Sequence, residues 1–118
     1  MTGATQPPTG GPAGEVHGIW LLTLRTPIGT LAVTLTLHEE DGVLTGNANG
    51  AGESVPLRDI RRELAPEGER LTWTQTITKP LRLTLGFDVV ITGDRMAGHS
   101  RAGRLPRTTV SGIRETGA

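Results

Sequence analysis

The side chains with the most chemical potential in this 118-residue chain are its three histidines, His17, His38 and His99. Two imidazoles facing each other across a hairpin can share a metal ion, and an imidazole beside an aspartate can serve as an oriented general base. Other chemistries are thinly supplied. Cysteine is absent, so there is no thiol nucleophile, zinc–thiolate site or disulfide. Tyrosine is absent too, and no Gly-x-Ser-x-Gly motif occurs. Ser54, Ser100 and Ser111 have no histidine on the same strand face. The glycine-rich stretches lack the Lys-Ser/Thr pair and following helix of a phosphate loop.

The elements that must position these residues read as β-strands. From Val16 onward apolar residues recur with period two: Leu31, Val33, Leu35 and Leu37; Leu71, Trp73, Gln75 and Ile77; then Leu81 to Ile91 at every second position. Threonine fills many of the alternate sites, as expected of strands with one wet face. Turn signals such as Pro27-Ile-Gly29, Asp41-Gly42, Glu67-Gly68 and Gly93-Asp94 recur every eight to twelve residues. Only Leu57–Leu64 admits a helical turn.

The turns also fix register. A two-residue loop at Asp41-Gly42 sets Leu37 opposite Gly46 and Leu35 opposite Ala48. A like loop at Gly93-Asp94 sets Ile91 opposite Met96, Val89 opposite Gly98 and Phe87 opposite Ser100. A turn over Thr26–Gly29 sets Trp20 opposite Leu35 and Leu22 opposite Val33. In each hairpin the apolar faces coincide, whereas a slip of one residue would oppose them. The expected fold is therefore all-β: a small antiparallel up-and-down barrel of about eight strands, closed to remove its edges.

That register places His17 opposite His38 on the outer face, with Thr36 and Thr45 as neighbours. Neither is a usual zinc ligand, so no metal site is expected. His99 falls opposite Asp88, again outside, where no wall excludes water. Arg95, Arg101, Arg104, Arg107 and Arg114 mark the last strands, but no aromatic platform accompanies them, so nucleic acid is not an expected partner.

Charge balances overall, with 12 basic and 12 acidic residues. Residues 1–57 hold one Arg against five carboxylates, and residues 58–118 hold eleven bases against seven. Residues 1–15, rich in Pro, Gly and Thr, read as a disordered tail before a barrel domain over residues 16–115. The start lacks a basic, apolar leader, and no run is long enough for a transmembrane helix. A cytoplasmic location without membrane partner is the expectation.

Trp20-x-Leu22-x-Leu24-x-Thr26-Pro27-x-Gly29, Asp41-Gly42-x-Leu44-Thr45-Gly46, Leu71-Thr72-Trp73, Thr78-x-Pro80 and a closing Gly112-x-Arg114 together resemble a group of small bacterial calycin-like, or lipocalin-like, β-barrel proteins. The resemblance spans roughly Gly18 to Arg114. It implies the barrel, and no activity.

The interior then holds the candidate site: Trp20, Leu35, Gly46, Trp73, Gln75, Phe87, Met96, Gly98 and Ser100. Small residues there (Gly46, Ala48, Gly98) can leave a cavity, and Gln75 and Ser100 could orient a guest. The expected function is binding of a hydrophobic small molecule, without a cofactor. The first alternative is a cyclase or isomerase that restrains an apolar substrate. The second is an accessory subunit using outward Ile19, Leu21 and Val90. Self-association is left open.

Overall fold

A computed structural model describes residues 16–27, 29–78 and 82–115. The expected tail, residues 1–15, lies outside the described residues. Nine strands follow one another: β1 (Gly18–Thr26), β2 (Gly29–Glu40), β3 (Val43–Gly50), β4 (Glu53–Pro56), β5 (Arg58–Ala65), β6 (Gly68–Ile77), β7 (Leu83–Thr92), β8 (Arg95–Arg101) and β9 (Thr108–Arg114). They form one antiparallel sheet in the order β4-β3-β2-β1-β9-β8-β7-β6-β5, a nearly closed up-and-down barrel. Two meanders, β1–β4 and β5–β9, are joined by the ladder between β1 and β9. The sheet's two edge strands, β4 and β5, are linked through Leu57, whose N–H donates to the Gly46 carbonyl at 2.9 Å.

The hairpin registers follow from the turns. Asp41 and Gly42 both take positive φ, 55° and 80°, as a type I′ turn demands, and Glu40 pairs with Val43. Leu37 then faces Gly46 and Leu35 faces Ala48. Trp20 faces Leu35, and Phe87 faces Ser100. All these pairings match the alternation in the sequence.

One element differs from its expectation. Leu57–Leu64 is strand, not helical turn: β5 pairs with β6, with an irregularity between Arg58 and Arg61 and Asp59 at φ 53°. The bulge shifts the inward phase by one residue, so Leu57 and Ile60 stand three apart. That spacing imitates one helix face.

The core runs along the barrel axis. Trp20, Leu35, Leu71, Trp73 and Met96 are fully buried in its lower half. Trp20 donates its indole N–H to the Val16 carbonyl at 3.0 Å, which draws the segment before β1 across that end. Arg114 lies over the Trp20 ring, 4.4 Å from its centroid, bonds Asp94 at 2.9 Å and donates to the His17 carbonyl. A further plug sits between β2, β5 and β6. Arg62 there contacts buried Glu69 at 2.5 Å and Glu39 at 3.2 Å. The hydrogen bond that Arg62 donates to Glu69 holds the guanidinium protonated beyond its usual range, against the opposing effect of burial.

Candidate functional site

The opposite end of the barrel is open. Above the Trp73–Phe87 layer the interior holds a cavity of about 280 Å³, walled by Leu24, Val33, Ala48, Val55, Ile77 and Leu85. Phe87 lines its base and stacks on Trp73 behind it, with centroids 4.8 Å apart and planes 6° from parallel. Ala48 on β3 and Ser100 on β8 contribute short side chains to its wall. Leu105 and Pro106, from the β8–β9 loop, overhang the mouth.

Two polar groups face this space. Gln75 and Ser100 are 5% and 3% exposed, and both line the cavity. The Gln75 carbonyl accepts the Trp73 indole N–H at 2.9 Å. An indole nitrogen only donates, so that bond fixes the amide orientation and leaves the Gln75 NH₂ as the group without a hydrogen-bond partner among the described residues. The Ser100 hydroxyl likewise has none among the described residues. A donor and a hydroxyl thus stand inside an otherwise aliphatic chamber.

Of the nine candidate interior residues, Gln75, Phe87 and Ser100 meet at the cavity. Trp20, Leu35, Trp73 and Met96 lie in the packed half. Gly46 and Gly98 serve the close approach of strands. A Cβ on Gly98 would collide with the Asp88 carbonyl and the Val89 Cα, and one on Gly46 with the Thr36 carbonyl. Of the three small residues, Ala48 is the one that borders the void. The wall residue Val55 escapes sequence reading because β4 is only four residues long. Glu69 was legible in principle, since it shares the inward phase of Leu71 and Trp73.

The ladder between β1 and β2 begins at Gly18 and Leu37, one residue short of His17 and His38. His38 lies 3.8 Å from Glu40, and no group of three metal-ligating side chains occurs among the described residues. His99 does sit opposite Asp88. Both Asp88 carboxylate oxygens are taken by Arg70, at 2.9 and 2.6 Å, and these bonds hold the carboxyl below its usual range. The aspartate is therefore committed to an arginine and not to orienting the imidazole. Ile19 and Leu21 are exposed beside Ile113, which pairs with Leu21, while Val90 is half-buried.

At the rim, Glu53 accepts from the Thr78 N–H at 2.9 Å and from its hydroxyl at 2.6 Å. These bonds tie β4 to the end of β6 across the seam left by the edge strands. No protein-family model matches the chain, and no curated protein matches it either.

Proposed function

We propose that the barrel binds an apolar small molecule in its open half. The observation that carries this reading is the Gln75 NH₂ and the Ser100 hydroxyl: two buried polar groups without hydrogen-bond partners among the described residues, on residues that line a largely aliphatic cavity. A buried donor left unmatched costs about 1–3 kcal/mol. Water entering through the mouth, or one acceptor atom on a guest, removes that cost, and a guest also buries the apolar walls. A calycin-like form, with an up-and-down sheet around an open interior, agrees with this use.

The test is titration with the neutral fluorescent probe N-phenyl-1-naphthylamine. Saturable uptake of one probe per chain, lost when Ala48→Leu fills the cavity, is the expected outcome. A wild-type protein that takes up no probe overturns the reading. Conformational restraint of a substrate toward cyclisation is the alternative use of the same chamber. Orientation of the substrate by the aliphatic walls would carry such a reaction.

A further inference from the structure

Charge is sorted along the barrel axis. The open end carries Arg25 at the end of β1, Arg82 before β7, Arg101 at the end of β8, and Arg104 and Arg107 in the β8–β9 loop. The acidic groups near that level are Glu53, which lines the cavity rim and accepts from Thr78, and Asp59 at the β5 bulge, which shares a depression on the outer wall with Arg101 and Arg107. The closed end gathers Glu39, Glu40, Asp41, Glu67, Glu69 and Asp94 at and beside its turns.

The ion pairs of the described residues sharpen the contrast. They engage Arg62, Arg70, Arg114 and His38, on the closed end and side wall. None engages the five arginines of the mouth. Arg101 also lines the cavity rim, where its Nε donates to the Leu105 carbonyl at 3.0 Å. That bond holds the guanidinium stem in place and directs its remaining N–H groups elsewhere.

We infer that the natural guest is an amphipathic anion: an acyl-type chain seated in the cavity with a carboxylate or other anionic headgroup among the arginines of the mouth. This rests on the cavity being the binding site, as proposed above. Guanidinium groups with no ion pair among the described residues, Arg101 at the rim and the others at the same end of the barrel, raise the positive potential at the entrance. They also offer charge-assisted hydrogen bonds to an oxyanion. The aliphatic walls meanwhile exclude a headgroup from the interior. A cavity of 280 Å³ holds about nine groups of roughly 30 Å³, the volume of a water in the liquid. That sets the chain at medium length.

The experiment compares decanoate with 1-decanol, each displacing N-phenyl-1-naphthylamine from the full chain at low and high salt. Decanoate is expected to bind about tenfold more tightly at low salt, the effect of one hydrogen bond to a charged group. High salt should erase most of that margin. In Arg101→Gln/Arg107→Gln the decanoate-to-decanol ratio should fall toward one. Equal affinity for the two in the wild type overturns the anionic headgroup while leaving apolar binding intact. A preference that survives the double substitution overturns recognition by these arginines. Failure of either compound to bind, with probe uptake also absent, overturns the cavity reading itself.

Discussion

The Trp73 indole holds the Gln75 carbonyl at 2.9 Å, and so leaves the amide nitrogen as the available donor of a residue that lines the cavity. One residue is thereby both a structural acceptor and an available donor. Gln75→Leu removes the donor and orphans the indole. Affinity for an apolar ketone should fall about three- to tenfold, the worth of a net hydrogen bond of about 1 kcal/mol. Affinity for the matching hydrocarbon should not fall with it. Paired displacement titrations of 2-decanone and decane read the difference, and an equal loss for both would remove Gln75 from recognition.

Ala48 and Gly98 are both small and inward, yet they answer to different forces. Ala48→Leu places new methylenes in the void, so stability should change by less than about 1.5 kcal/mol while probe uptake is lost. Gly98→Ala drives a methyl into the Asp88 carbonyl and Val89 Cα. It should cost about 1–3 kcal/mol or more as the strands part. Urea unfolding of the two variants checks the contrast.

Arg62 gives a third test. Arg62→Met leaves Glu69, 5% exposed, without its cation, and breaking such a pair costs about 3–5 kcal/mol. Adding Glu69→Leu should return much of that loss, because an apolar pair avoids the desolvation of both charges. A double-mutant cycle by chemical denaturation measures the recovery. No recovery in the double variant would show that shape, not charge burial, governs this end.

Asp88 supplies a pH dependence. Its hydrogen bonds to Arg70 lower the folded-state pKa, so they stabilise the fold above the unfolded value of about 3.9. That contribution is lost as pH falls through the lower, folded value. Wild type should therefore exceed Asp88→Asn in stability at pH 7, and the gap should close in strong acid. Unfolding free energies at pH 7, 4 and 2 test the sign.

The sequence displayed its ladders more openly than its site. Period-two alternation and the Asp41-Gly42 and Gly93-Asp94 loops suffice for the pairings of Leu35 with Ala48 and Phe87 with Ser100, because register is a local property. The β5 bulge was hidden, since one inserted residue makes Leu57 and Ile60 read as a helical face. Where the cavity lies was equally hidden. Gly46, Ala48 and Gly98 look alike in sequence, and only the approach of neighbouring backbones separates a packed glycine from an alanine beside open space. The basic mouth was hidden for a third reason. Arg25 is distant in sequence from Arg101 and Arg107, and up-and-down topology brings them to the same end.

The ladder between β1 and β9 has one more consequence. Every other ladder joins strands that follow each other along the chain, so each can close as a local hairpin at small entropic cost. The pairing of β1 with β9 must wait for both meanders and encloses nearly the whole domain in one loop. It is the high-contact-order step, and the one expected to set the folding rate. Substitutions on that seam, such as at Val110 or Leu22, would register as slower folding, whereas those in the Asp41-Gly42 hairpin act on an early, local event.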